Sequence, residues 1–306
     1  MSPDIVVAVL LTIIAASTPL LLAAIGELVA ERSGVLNLGV EGMMIVGAAA
    51  GFAGAQVAGS AYVGVLCAAL AGVALSVLFA VLVLVFTTNQ VATGLSITLL
   101  GIGIAGLVGQ GYVGTPGVKL RPVEIPLLSD IPVLGRLLFS HDILVYLSVV
   151  LVAAVAWILA RTRLGLTIRA VGDNHHSAHA IGYSVVAVRF LAVMFGGLCA
   201  GLAGGYLSLV YTPQWVEGMS AGRGWIAVAL VVFAAWRPVR AFFGAYLFGA
   251  VVILQFHAQA AGVQIPSQFL SALPYIATIV VLVVISASRR SAQGAAPACL
   301  GQPFVP

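Results

Sequence analysis

Read from its amino terminus, the chain is a succession of long apolar blocks parted by short polar joints. The blocks fall near 5–25, 43–59, 61–86, 89–111, 143–160, 190–211, 223–236, 241–257 and 273–288. Each is a continuous run of Val, Leu, Ala and Ile without apolar–polar alternation, so the pattern predicts helices and not strands. A helix needs about 20 apolar residues to cross a hydrocarbon layer about 30 Å thick. The blocks therefore predict an all-α integral membrane protein with roughly 8–10 transmembrane helices, about nine by this division. The first block follows Met1-Ser2-Pro3-Asp4, without the positive flank of a cleavable signal, and reads as a retained span.

Composition agrees with the pattern. Only 7% of the residues are charged and 62% are hydrophobic, too little charge to clothe a water-soluble domain of this size. The formal net charge of +4 is spread thinly over the joints. No basic run is long enough to grip phosphates, so the partner class is membrane lipid and not nucleic acid. Cys67, Cys199 and Cys299 stand singly, with neither a disulfide framework nor zinc spacing.

The basic residues set an orientation. Arg32, Arg161, Arg163, Arg169, Arg189, Arg237, Arg240, Arg289 and Arg290 fall on one side of the alternating spans; Lys119, Arg121, Arg136 and Arg223 fall on the other. The richer side is cytoplasmic. This puts the loop 161–189 and the carboxyl terminus inside and the Pro- and Gly-rich stretch 112–142 outside. With an odd number of spans the amino terminus is then outside. Residues 1–288 read as one transmembrane domain, and 289–306 as a short disordered cytoplasmic tail.

Small residues mark close helix contacts: Gly197, Gly201 and Gly205 recur every four residues, and Gly47 and Gly51 do the same. A weak internal repeat also exists. Asn37-Leu38-Gly39-Val40-Glu41-Gly42 leads into one Gly/Ala-rich span, and Met219-Ser220-Ala221-Gly222-Arg223-Gly224 leads into another. The two run in opposite directions, as in transporters built from inverted repeats with interrupted helices near the solute path.

Chemistry-bearing residues are few. His141, His175, His176, His179 and His257 have no nucleophile arranged with them, and HExxH is absent. His175 and His179 would share a helix face able to hold a metal, but they sit in a polar loop and read as solvated. No P-loop occurs, and the only lysine, Lys119, lies in an unrelated context. An intramembrane enzyme is thus disfavoured, and any ATP must be bound by another chain. The stretch from Gly26 to Gly42 is the richest in polar groups. There Glu27, Glu31 and Arg32 read as loop residues facing water, while Asn37 and Glu41, flanked by apolar residues, are equally candidates for the membrane interior.

Several motifs in order carry a family resemblance. They are the Gly26–Met44 stretch, Asn89-Gln90-Val91-Ala92-Thr93-Gly94-Leu95, Leu164-Gly165-Leu166, Arg169 to Asn174, Ala180-Ile181-Gly182 and Met219 to Ala227. Over residues 20–285 the chain resembles the permease subunits of bacterial ABC importers for simple sugars and nucleosides, in particular the shorter of the two nucleoside permeases. The resemblance implies a multi-pass protein of the bacterial plasma membrane, without a bound cofactor. It would work with ATP-binding cassette ATPase subunits, a second related permease and an extracellular substrate-binding lipoprotein.

The resemblance also assigns coupling to the ATPase to Gly165, Arg169, Ala170, Gly172, Asp173, Ala178, Ala180 and Gly182. Family members often have Asn-Pro where this chain has Asn174-His175. A flat, uncharged solute needs amides and hydroxyls, which nominates Asn37, Asn89, Gln90, Thr93, Ser96 and Gln255 for the translocation path, joined by Glu41 as an ionisable group flanked by apolar residues. Helix–helix bonding accounts for such residues equally well. The expected cargo is a nucleoside, specifically a purine nucleoside. The alternatives are a simple sugar, a branched-chain amino acid, or a self-sufficient secondary transporter, which would need a paired acid and base deep in a span.

Overall fold

The computed structural model describes residues 3–123, 134–260 and 296–305, with isolated positions between 269 and 283. Most of the ninth expected span, 273–288, lies outside the described residues, as do 289–295 and the loop prolines Pro126 and Pro132.

Among the described residues every regular element is a helix. Seven are long and apolar enough to cross a membrane. They are α1 (Pro3–Arg32), α2 (Val40–Ala58), α3 (Ala61–Ala80, prolonged by a π-helical turn Val81–Val85), α4 (Gln90–Gly109), α6 (Ile143–Arg161), α9 (Val185–Tyr206, prolonged by a π-helical turn Leu207–Tyr211) and α11 (Pro238–Ala260). Four short helices join them: α5 (Leu134–Phe139), α7 (Arg163–Asp173), α8 (His175–Ala180) and α10 (Arg223–Phe233).

The seventh expected span, 223–236, is corrected by α10. This helix has 11 residues and at 1.5 Å per residue covers about 16 Å, roughly half the hydrocarbon layer. Left-handed backbone stops it at both ends, at Gly222 (φ +79°) and at Ala235 and Trp236 (φ +49° and +54°).

The bundle is built on α2, the most enclosed of the long helices, with α4 the most exposed. The glycine stripes read from the sequence are where backbones meet. A Cβ on Gly47 would lie 2.7 Å from the Cα of Gly201, and one on Gly205 would lie 2.7 Å from the Cβ of Ala68. Helices α2, α3 and α9 thus touch main chain to main chain, the geometry that small residues permit in lipid.

The polar joint between α1 and α2 does not stay at the membrane edge. The Asn37 amide donates to Glu27 Oε1 at 2.9 Å. Glu27 precedes Arg32 by five residues, so Asn37 sits about 7.5 Å back up the bundle from the end of α1. Contacts with α4 climb in step: Leu36 N–H to Gln90 Oε1 at 2.8 Å, then Thr98 Oγ1 to the Leu38 carbonyl at 3.0 Å. Higher still, a Cβ on Gly101 would lie 2.6 Å from the Cα of Gly42. The segment 33–39 therefore re-enters the bundle, and α2 starts inside it.

The chain from 212 to 236 descends from the opposite side. Trp215 packs on Gly109 and Glu217 on Gly106, near the far end of α4; Gly224 lies against Glu41. At the near end, the Trp236 ring N–H donates to Glu31 Oε2 at 2.5 Å. The two repeat motifs thus begin helices deep in the bundle, one running each way.

Candidate functional site

The amino-terminal ends of α2 and α10 meet, and Glu41 is the joint. Its Oε1 accepts from Ser220 Oγ at 2.6 Å and from the Gly222 amide at 2.9 Å. Its Oε2 accepts from the Gly224 amide at 2.6 Å. A carboxylate is stabilised there because the first amides of a helix have no partner within the helix and carry the positive end of its dipole. Gly222, left-handed at the start of α10, turns its N–H toward Glu41. Arg223 was counted on the outer side, but it follows this joint inside the bundle. Its Nη1 donates to the carbonyls of Met219 and Ser220 at 2.9 and 3.3 Å, and its guanidinium lies 5.5 Å from the Tyr211 ring centre.

The residues nominated for the path divide into three groups. Asn37 and Glu41 are buried in the joint; Asn37 Oδ1 accepts from the Gly39 amide at 2.9 Å and Nδ2 points to Met43 Sδ at 3.5 Å. Gln90 and Thr93 are buried on the packed face of α4, Gln90 holding Leu36 and Thr93 sharing a 2.9 Å hydroxyl contact with Thr88. Asn89 and Ser96 lie on its exposed face. Asn89 caps the helix by accepting from the Ala92 amide at 3.0 Å, and Ser96 donates back to the Ala92 carbonyl at 2.9 Å. Gln255 is buried on α11, and the structure does not bring it to the Glu41 joint.

Glu27 and Glu31 correct the reading that they face water: both are fully buried. They continue α1, one turn apart, and each holds an element of the joint, Glu27 the Asn37 amide and Glu31 the Trp236 ring. Glu27 Oε2 and Glu31 Oε1 are buried without a hydrogen-bond partner among the described residues. Arg32 is half-buried, its Nε and Nη2 donating to the Trp236 carbonyl at 3.1 and 3.0 Å. Their four-residue spacing keeps both acids on one face of α1 once the helix runs past Ile25 to Arg32.

At the end of the bundle that the arginines mark as cytoplasmic, loop 161–189 forms the helix pair α7–α8. Thr162 caps α7 through the Gly165 amide at 3.2 Å, and Asn174 caps α8 through the Ser177 amide at 2.9 Å. Asn174 is extended (φ −152°), so His175 starts α8 without a proline. The nominated coupling residues do not all face outward. Gly165, Gly172 and Ala178 are buried; Arg169 and Ala170 are half-buried; Asp173, Ala180 and Gly182 are exposed. Gly165 lies against the α6 carbonyl of Ile158 and Gly172 against that of Arg32, both too close for any side chain. Gly182 closes the pair in left-handed backbone (φ +93°) with open space beside it.

The tail was expected to be disordered, yet residues 296–305 are seated on this pair. Cys299 N–H donates to the Gly172 carbonyl at 2.9 Å and Gly301 N–H to that of Gly34 at 3.1 Å. Arg189, fully buried, ties three segments together. It donates to the Ser33 carbonyl at 3.1 Å, to the Gln302 carbonyl at 3.0 Å and to His175 Nδ1 at 3.0 Å. Accepting at Nδ1, His175 is neutral, and burial beside Arg189 and His176 pushes its pKa below the usual histidine range. Phe304 packs among His175, His176 and His179, with ring centres 5.2, 5.8 and 5.4 Å away. No sequence signal pointed to this clasp, because its bonds from Arg189 to Ser33 and Gln302 join residues more than a hundred positions apart. Among the described residues, no group of three or more His, Cys, Asp or Glu is placed to hold a metal ion.

Comparison with known proteins places this architecture. Residues 9–287 match the family described as branched-chain amino acid transport system / permease component. A putative glucose ABC transporter permease protein of Haloferax volcanii is 41% identical, over 94% of both chains. The guanosine ABC transporter permease protein of Bacillus subtilis is 32% identical, and the nucleoside ABC transporter permease protein of Lactococcus lactis 31%, each over 87% of this chain and 88% of the relative. No solved structure matches the chain. The seven apolar helices, the family match across nearly the whole length and the identities above 30% make this chain a member of the branched-chain amino acid transport system / permease component family, an ABC-type permease spanning the plasma membrane many times.

Proposed function

We propose that the chain forms the translocation path of an ATP-driven importer for nucleosides, purine nucleosides in particular. ATP would be bound and hydrolysed on separate cassette subunits, and an extracellular lipoprotein would deliver the solute. The observation that carries an uncharged cargo is the closure of the joint: Glu41 is met by one hydroxyl and two backbone amides, and Arg223 is turned back onto its own carbonyls. The Glu41 carboxylate and the Arg223 guanidinium are thus both engaged within the protein and are not held open for a charged solute. A nucleoside needs hydroxyls and amides. The guanosine and nucleoside permeases among the relatives support the same cargo.

In this reading the exposed side of α4, carrying Leu95, Leu99 and Leu107, faces the second permease, and α7–α8 docks on an ATPase through its exposed end. The acid and base at the meeting of α2 and α10, Glu41 and Arg223, are both engaged within the protein, unlike the free pair a secondary transporter would need.

The second reading is a simple sugar, favoured by the 41% identity to the putative glucose permease. Uptake of labelled guanosine by cells expressing the whole importer separates the two. The nucleoside reading expects competition by adenosine but not by glucose or leucine. Uptake of labelled glucose with no uptake of labelled guanosine would transfer the assignment to the sugar. The permease alone in liposomes should move neither solute, and proton- or sodium-driven uptake by it would remove the importer reading.

A further inference from the structure

A cavity of about 560 Å³ opens where the ends of α1 and α6 and the start of α11 meet α7 at one face of the bundle. Its lining includes Arg32, Arg169, Arg237 and Arg240, and no carboxylate. Four arginines line it, Arg169 and Arg237 each lying near enough to repel Arg32, while Asp173, outside the lining, attracts Arg32 and offsets part of that repulsion. Such repulsion is relieved by an anion. The first turn of α11, with Pro238, Val239 and Arg240, also borders the cavity, adding the positive end of a helix dipole.

The walls are apolar on the other side, with Ala156, Leu159 and Ala160 of α6. Leu159 also lines a neighbouring cavity of about 290 Å³ whose surroundings are almost wholly apolar, Val155, Ile158 and Phe195 among them. Arg32, Arg161 and Arg237 end or precede membrane-spanning helices, so the basic cavity lies level with lipid headgroups.

We propose that this cavity binds the phosphate of an anionic phospholipid from the adjacent leaflet. A monoanionic phosphodiester bears charge-delocalised oxygens that arginine forks match two at a time. Basic pockets between membrane helices at the cytoplasmic side take such headgroups, while zwitterionic lipid brings its own cation into the same space. The exposed Arg237 and Arg240 are the groups a lipid reaches first. The half-buried Arg32, fixed by the Trp236 carbonyl, forms the floor. The site requires a membrane location only and stands whichever solute is carried.

The test is native mass spectrometry of delipidated permease titrated with phosphatidylglycerol or phosphatidylcholine. Wild type should retain phosphatidylglycerol at least tenfold over phosphatidylcholine. The double variant Arg237→Gln, Arg240→Gln should weaken phosphatidylglycerol retention by about thirtyfold, given the contribution of each basic group near a lipid surface. Arg237→Lys, Arg240→Lys should restore only part of it, because lysine keeps the charge and loses the fork, and both variants should keep the wild-type melting temperature. Equal retention of the two lipids, or retention unchanged by the glutamines, overturns the site. Displacement of bound lipid by millimolar inorganic phosphate would make it a free-anion site and overturn the lipid assignment.

Discussion

Glu41 Oε2 accepts the Gly224 amide at 2.6 Å across 183 residues of sequence. With it, the first turn of α10 is fastened to the first turn of α2, and two interrupted segments of opposite direction are welded at one depth. Interrupted helices usually turn their amino-terminal ends toward an anionic solute. Here a side chain of the protein occupies that position. The joint is therefore a structural pivot, and its loss should be felt in stability and in transport together.

Glu41→Ala would strand the Ser220 hydroxyl and the amides of Gly222 and Gly224. The expected cost is on the order of 3 kcal/mol, read as a lower melting temperature in detergent and loss of uptake. Gly224→Ala should resemble it by a different cause, since its Cβ would lie 2.5 Å from the Glu41 Cα. A Glu41→Ala protein that melts and transports as wild type would remove the pivot.

The helices themselves were legible because long apolar runs permit little else in lipid. So were the glycine contacts, because Gly197, Gly201 and Gly205 share a face whatever they meet. The errors concern depth. Glu27 and Glu31 carry charge, and charge in a joint between spans reads as surface. Only the folded bundle shows α1 running on to Arg32 and the joint climbing back beside it. Likewise 223–236 has the composition of a span, and its shortness follows from left-handed backbone at Ala235 and Trp236, residue types that do not advertise it. Thr93 and Gln90 were legible as polar groups in a span, but their partners, Thr88 and Leu36, depend on tertiary placement.

Glycines with and without neighbours should behave oppositely. Gly204 faces the Met44 carbonyl of α2, whereas a Cβ on Gly103 meets nothing within 4 Å. Gly204→Ala should destabilise by about 2 kcal/mol through overpacking. Gly103→Ala should be neutral or stabilising by about 0.5–1 kcal/mol, as alanine is favoured in a helix interior. Melting of the purified permease measures both, and equal effects would contradict the α2–α9 contact.

The tail clasp should open in acid. A histidine whose folded pKa lies below its ordinary value of 6.5 contributes stability above that value. The contribution is lost as pH falls through the folded pKa, because the unfolded form binds the proton more readily. A protonated His175 would face the Arg189 guanidinium at 3.0 Å with His176 and His179 beside Phe304. Hydrogen exchange at the Cys299 and Gly301 amides, corrected for intrinsic rate, should show protection above pH 6.5 that disappears in more acid solution. In His175→Gln that pH dependence should vanish. Constant protection in the wild type across this range would disprove the switch.

The docking of α7–α8 on an ATPase is best tested where added bulk leaves the permease itself unharmed. Ala178 is unsuitable, being buried against Val171, Val185 and Phe304. Gly182 is also ambiguous, because its φ of +93° strains any other residue even in open space. Ala180, exposed at the end of α8, has neither defect. Ala180→Trp should leave insertion, abundance and melting unchanged, yet reduce copurified ATPase and uptake more than tenfold, since a large ring cannot enter a cleft shaped for a methyl group. Arg169→Glu should act more weakly: Arg169 is half-buried, and an ion pair at its solvent-facing side contributes only about 0–1 kcal/mol, to which a reversed charge adds repulsion. If Ala180→Trp still copurifies the ATPase in full and transports normally, the exposed end of α8 is not the docking surface and coupling must run through another part of the inner face.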